Sequence, residues 1–185
     1  MRTRVMKGFI AATLLFVSVA GARSQGMPNM APPAEVKAAE FLVGKFKGSA
    51  NFYFGGQKSA SACTAKAEKT LDGRWIQTKI SYQMKMQGMP DMTVEGMHML
   101  TYDPAVKQYV AWWFDGTAST VMRMAGNFEG DKLVLISDPV PMEPGGPPAV
   151  ARSTWWKKGD GVGFTLEMKQ GDSWAPMIDG EFHKG

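Results

Sequence analysis

From Lys45 onward, pairs of turn-forming residues recur every 8 to 15 positions, and no helical period survives for three turns. The pairs are Gly55-Gly56, Asp72-Gly73, Asp103-Pro104, Gly130-Asp131, Gly159-Asp160-Gly161 and Gly171-Asp172. Each supplies the positive or fixed φ that a tight connection needs. Between them lie short alternating segments at 46–54, 62–70, 75–86, 92–102, 108–115, 119–128, 132–137, 150–157, 163–169 and 175–183. Such spacing predicts an all-β chain with successive strands joined by hairpins. Ten strands in that order favour a single antiparallel up-and-down β-barrel, because closure removes the exposed edges an open sheet would leave. A barrel of eight to ten strands has room for filling side chains or one small ligand. One short N-terminal helix is expected over 34–43, entered after Pro32-Pro33 and left at Gly44. The Pro-rich stretch 138–148 cannot be a central strand and is expected to lie over a barrel mouth.

The chain's formal net charge of +4 raises nucleic acid or an anionic membrane as partner. The first 22 residues remove that reading. Arg2, Arg4 and Lys7 precede the apolar run GFIAATLLFVSVA and then the small-residue site Ala20-Gly21-Ala22, the order of a secretory signal peptide. Its apolar run of 13 residues is short for the roughly 20 that cross a bilayer as a helix. Cleavage after Ala22 would leave 18 basic against 17 acidic residues, with no basic cluster for nucleic acid and no transmembrane anchor. The expected organisation is a signal peptide at 1–22, a linker at 23–33 and the barrel domain at 34–185, in a bacterial periplasmic or secreted protein.

Alternation is clearest along 75–86, where Ile76, Thr78, Ile80, Tyr82, Met84 and Met86 share the face expected to point inward. In the next strand His98 shares a face with Met92, Val94, Leu100 and Tyr102, a polar group in apolar company. Two readings stay open: a core histidine satisfied by a hydrogen bond, or one that contacts a ligand, a haem or a metal. Adjacent aromatics at Trp112-Trp113 and Trp155-Trp156 place one ring on each side of a strand. Arg123 and Arg152 are candidate inward cations for a carboxylate-bearing ligand.

Methionine is the compositional outlier, with 15 in the chain. Six fall in MKMQGMPDMTVEGMHM, so Met84, Met86, Met97 and Met99 form a candidate Cu(I) set, since soft thioethers match a soft cation. Adaptable packing or pocket lining explains the same residues without a metal. Catalytic patterns are sparse: two histidines, no nucleophile elbow, no HExxH and no phosphate loop. An enzyme would need His98, Tyr102, Asp115 and Arg123 to converge. An interaction module would expose aromatics around Trp155. Cys63, in an alternating stretch, reads as a small buried residue.

The order of landmarks resembles a bacterial family, the domain of unknown function 1579. They are Leu42-Val43-Gly44-Lys45-Phe46, Gly73-Arg74-Trp75, Gln87-Gly88-Met89-Pro90, Thr101-Tyr102-Asp103, Trp113-Phe114-Asp115 and Gly126. Two positions depart from the family pattern: Phe46 stands where Gly-x-Trp is usual, and Thr101 replaces a glycine. The resemblance implies a lipocalin-like, calycin-type barrel and brings no activity with it. Nitrobindin-type haem barrels are similar in structure, and their late iron-ligating histidine would fall on His183. The expectation is a non-enzymatic exported barrel that binds a small apolar molecule through Tyr82, Met84, His98, Trp113, Arg123 and Arg152, with copper or haem as the alternative cofactors.

Overall fold

Ten strands close on themselves in the computed structural model, which describes residues 31–54, 57–84, 91–117, 121–141 and 145–185. The signal peptide, most of the linker, Met86, the Gly55-Gly56 turn and the landmark at 87–90 lie outside the described residues. In chain order the strands are β1 (Gly44–Phe54), β2 (Gln57–Thr70), β3 (Trp75–Met84), β4 (Met92–Asp103), β5 (Gln108–Asp115), β6 (Val121–Glu129) and β7 (Lys132–Ser137). After them come β8 (Val140–Pro141), β9 (Pro148–Ala149), β10 (Ala151–Lys158), β11 (Gly161–Gln170) and β12 (Ser173–Lys184). Each barrel strand pairs antiparallel with its neighbours in the chain, and only the β8–β9 excursion interrupts the meander. Closure is made by β1, where Phe46 stands opposite Ala65 of β2 and opposite Lys184 of β12. β8 and β9 pair only with each other, so Val140–Pro141 and Pro148–Ala149 form a separate two-stranded ribbon in the connection from β7 to β10.

Strand periodicity fixes which residues enter the barrel. Phe46, Ala50 and Phe52 of β1, Ile76, Thr78 and Tyr82 of β3, and Val94, His98 and Leu100 of β4 are all buried. Opposite them lie Met122 and Met124 of β6, Leu133 and Leu135 of β7, Trp155 of β10 and Phe164 of β11. Burying each such apolar side chain contributes roughly 1.5–3 kcal/mol. Inward serines are mostly satisfied locally: Ser61 Oγ donates to Gln83 O, and Ser137 Oγ accepts from the Ala151 N–H at 2.8 Å.

The expected helix is a 3-10 helix over Ala34–Leu42. Its buried residues explain the tight winding. Val36, Ala39 and Leu42 repeat every three residues, and three residues per turn eclipses them into one stripe. That stripe packs against β3, β4 and β11 and covers one end of the barrel. Tyr109 Oη donates to Glu35 O at 2.7 Å, and Lys69 Nζ reaches Glu40 at 2.9 Å, tying the helix to the rim. Gly44, with φ of +151°, then turns the chain into β1.

Candidate functional site

Between the helix-covered end and the opposite mouth the barrel is not completely filled. A void of about 50 Å³ is walled by Phe46, Phe52, Tyr82, His98, Trp113, Trp155 and Phe164, among others. A second void of about 20 Å³ shares His98, Trp113, Trp155, Phe164 and Ile178 with it and adds Met122, Met124, Ser153 and Leu166. Ten strands make a wider lumen than side chains of average size would fill, and aromatics occupy most of the difference. Phe52 stacks on Tyr82 with centroids 4.9 Å apart, and Trp155 lies tilted against Phe164 at 4.1 Å. Trp113 lies over Gly96, where an added Cβ would meet its ring at 3.2 Å, so the small residue seats the indole against the wall.

His98 sits at the centre of this arrangement. Only 2% exposed, it stacks on Trp155 at 5.6 Å and faces Trp113 at 5.9 Å. Its Nε2 has no hydrogen-bond partner; the same is true of Ser153 Oγ and Trp155 Nε1. These three are the buried side-chain polar atoms left without a partner among the described residues; their residues line the smaller void, but its surface is wholly apolar and the atoms themselves do not face it. Burial pushes the imidazole pKa down to about 4, so the ring is neutral at physiological pH. The same desolvation raises Cys63 to about 11 and holds its thiol protonated, which removes it as a nucleophile. Tyr82 is likewise held above the ordinary phenol range, first by burial and then by the charge of Asp115.

The structure brings together three of the expected site residues, Tyr82, His98 and Trp113. Met84 faces the barrel interior nearer the mouth and packs against the core without walling either void. Arg123 and Arg152 are corrected. Both point outward, because Met122 and Met124, and Ala151 and Ser153, take the inward positions on their strands. Arg123 pairs with Asp138 at 3.2 Å. Arg152 holds Glu167 through Nε at 2.8 Å and Nη2 at 2.7 Å, and its guanidinium lies 4.5 Å over Trp174. No cation therefore serves the interior from these positions. Trp155, expected as part of an exposed patch in an interaction module, is 6% exposed and inside the barrel; Trp156 is the outer ring, with Lys132 over it.

The copper set is divided by the sheet. Met84 is inside, whereas Met97 and Met99 alternate with inward His98 and so lie outside, where Met97 Sδ accepts from Gln77 Nε2 at 3.1 Å. Met84 therefore cannot share an ion with Met97 and Met99. Haem fits no better: His183 has 65% of its side chain exposed beside Asp160. The larger void, about 50 Å³, is far below the roughly 300–1,000 Å³ of a cofactor-sized pocket. Nor do His98, Tyr102, Asp115 and Arg123 converge. Tyr102 lies opposite Tyr109 and Asp115 opposite Gly96, which is about 20 Å along the strands at some 3.3 Å per residue.

A larger concavity, about 810 Å³, lies on the outer wall and takes in Lys45, Lys47, Lys66, Lys79, Met97 and Phe114. It is an open surface, more apolar than polar, edged by lysines. Lys45, Lys66 and Lys79 are direct cross-strand neighbours, and Lys66 is answered by Glu68 at 2.8 Å. The buried unpartnered polar atoms belong to the interior, which makes the interior the stronger candidate.

Residues 32–184 match the model of a family described as "Protein of unknown function (DUF1579)". Among solved structures, "Crystal Structure of Rv2717c from M. tuberculosis" is similar with a TM-score of 0.62 at 10% identity, covering 84% of this chain and 99% of that one. At that identity the likeness is one of fold. No curated protein matches the chain.

Proposed function

We propose, for a chain that belongs to the DUF1579 family, that it is an exported, non-enzymatic barrel that binds a small, largely apolar molecule in its interior. The carrying observation is the apolar void beside His98, walled by Phe46, Phe52, Trp113, Trp155 and Phe164. Its volume sets the size of the guest. One water needs roughly 10–15 Å³ and an apolar cavity of about 150 Å³ takes benzene. A void of about 50 Å³ therefore admits a molecule of a few non-hydrogen atoms, or the apolar tip of a longer one. Met122 and Met124 on the wall of the adjoining void can yield to something larger, because unbranched thioethers repack at low cost.

Xenon is the direct probe, since it enters dry apolar cavities and makes no hydrogen bonds. Xenon-pressurised crystals are expected to show an atom between Phe52, Trp113 and Phe164. A lumen with no xenon site sinks the interior-binding reading. Arg123→Ala and Arg152→Ala should leave the site unchanged, and each should cost less than about 1 kcal/mol in urea denaturation, since both ion pairs are partly exposed. Export predicts that the protein from its own compartment begins at Arg23, and a mature chain that retains Met1 removes that part of the reading.

A further inference from the structure

The concavity on the outer wall has a chemistry that the interior lacks. It measures about 810 Å³, within the roughly 300–1,000 Å³ of small-molecule clefts. One cross-strand row accounts for its apolar surface and its lysine edge together. Lys45 of β1 stands opposite Lys66 of β2, Lys66 opposite Lys79 of β3, Lys79 opposite Met97 of β4, and Met97 opposite Phe114 of β5. Their chain neighbours Phe46, Ala67, Thr78, His98 and Trp113 point inward, so all five lie on the outer face, three cations followed by two large apolar groups. Phe114 in turn faces Val121 of β6, which is 44% exposed.

The lysine run carries a cost, because like charges directly opposite one another on a sheet are destabilising. One carboxylate answers it. Glu68 pairs with Lys66 at 2.8 Å, and its carboxyl is held below the usual range by the hydrogen bond and charge of Lys66, with a smaller pull from Lys79. Lys45 and Lys79 have no ion pair of their own among the described residues. Lysines elsewhere guard the exposed edge of a sheet, but β1, β2 and β3 are paired on both sides in a closed barrel and have no edge to guard. An anion set among the three ammonium groups would relieve their repulsion.

Nearby charge fixes the direction in which a guest lies. Glu95 and Asp115 belong to the β4 and β5 side of the concavity, so an acidic head is repelled there and drawn to the lysines. Its apolar part then runs over Met97 and Phe114, across two strand spacings of about 4.8 Å each. A flat bilayer does not enter a concavity, whereas a single dissolved molecule does. We propose that the outer concavity binds a single-chain anionic amphiphile, its head at Lys45, Lys66 and Lys79 and its hydrocarbon chain over Met97 and Phe114. This site is separate from the interior and stands whether or not the interior is occupied.

The test titrates octanoate, 1-octanol and octylammonium into the protein at constant ionic strength. NMR follows the Met97 methyl on the outer wall and the Met122 and Met124 methyls inside. Octanoate is expected to shift Met97 saturably and to bind about tenfold more tightly than 1-octanol, the combined worth of three partly exposed charge contacts. That advantage should shrink as salt rises, and octylammonium should leave Met97 unmoved. In the double variant Lys45→Gln plus Lys79→Gln the preference for octanoate should largely vanish. The urea midpoint of the free variant should not fall, since like charges have been removed, which separates lost binding from lost folding.

Equal binding of octanoate and 1-octanol, or binding of octylammonium at Met97, overturns the anionic head. Shifts at Met122 and Met124 with none at Met97 place the chain inside the barrel and overturn the outer site. Binding to phosphatidylglycerol vesicles without any octanoate shift at Met97 makes the surface a membrane contact and overturns the single-molecule guest. Silence of Met97 towards every probe overturns the proposal and leaves interior binding to its own test.

Discussion

Acidification from pH 6.5 to pH 4 is expected to remove about 3 kcal/mol of folding stability through His98 alone. In the unfolded chain the imidazole titrates near 6.5, whereas inside the barrel desolvation pushes its pKa down to about 4. Between those values the unfolded state binds a proton that the folded state does not. Stability therefore rises with pH across this window and is lost as the pH falls. Below pH 4 the loss is complete, and above 6.5 the group contributes nothing to the slope. At 1.36 kcal/mol per pKa unit the separation amounts to about 3 kcal/mol, a large part of the 5–15 kcal/mol that a domain possesses. Urea midpoints measured from pH 4 to pH 7.5 check this, with His98→Leu as the comparison. The variant should lack most of the slope in that window and should be no less stable at pH 7, because it removes a buried nitrogen that has no partner. NMR of the His98 ring gives an independent reading. A ring that titrates near 6.5 in the folded protein would contradict the expectation, whatever the variant does.

Legibility in the sequence followed the contrast between strand faces. In β3 the hydrophobic and polar positions separate cleanly, and Ile76, Thr78, Ile80, Tyr82 and Met84 all point inward as expected. The turn pairs between β2 and β3, β4 and β5, β6 and β7, β10 and β11, and β11 and β12 likewise placed the connections, because Gly and Asp at those points answer to local backbone geometry. In β10 the contrast vanishes. Ala151, Ser153 and Trp155 on one side are no more apolar on sight than Val150, Arg152 and Thr154 on the other. The pairing of Trp155 with Leu133 and Phe164 decides the parity, and those partners are remote in sequence. Alternation within β10 alone therefore does not decide the side on which Arg152 lies. In β6 the equivalent ambiguity arose because Val121, Arg123 and Ala125 are about as apolar as their alternates, of which Met122 and Met124 are the buried ones.

The candidate site shows the same limit in another form. His98 was recognisable as inward from its own strand. Ser153 and Trp155 join it from β10, which is not a hydrogen-bonded neighbour of β4, so only closure of the barrel brings them to one void. In the methionine-rich run, nearness along the chain is not nearness across the sheet. Met84 and Met97 are near in sequence, yet alternation and register put them on opposite sides of the sheet.

Gly126→Ala is expected to destabilise the barrel by about 3 kcal/mol or prevent folding, although adding a methyl in a strand would ordinarily help. Replacing glycine by alanine restricts the unfolded chain and gains roughly 0.5–1 kcal/mol where the backbone tolerates it. At Gly126 the backbone is not in a region reserved for glycine, so conformation is no obstacle. Space is the obstacle. A Cβ there would stand 2.0 Å from Val134 O and 3.1 Å from Leu135 Cα on β7, and these are main-chain atoms that no rotamer change can move aside. The strands would have to separate where Gly126 faces Leu135 and Tyr109, breaking ladder bonds on both sides. Leu135 is fully buried, so the same displacement would loosen the wall beside the interior voids. Overpacking in a rigid core costs 1–3 kcal/mol and occasionally more, and a clash with backbone belongs at the upper end. Gly130→Ala makes the contrast: nothing lies within 4 Å of its Cβ, but its φ is +63°. Its cost is therefore expected to be conformational, about 1 kcal/mol, and to leave the tryptophan environment unchanged. Urea midpoints with near-ultraviolet circular dichroism separate the two. A Gly126→Ala protein as stable as the parent would mean that β6 and β7 approach less closely than the structure places them.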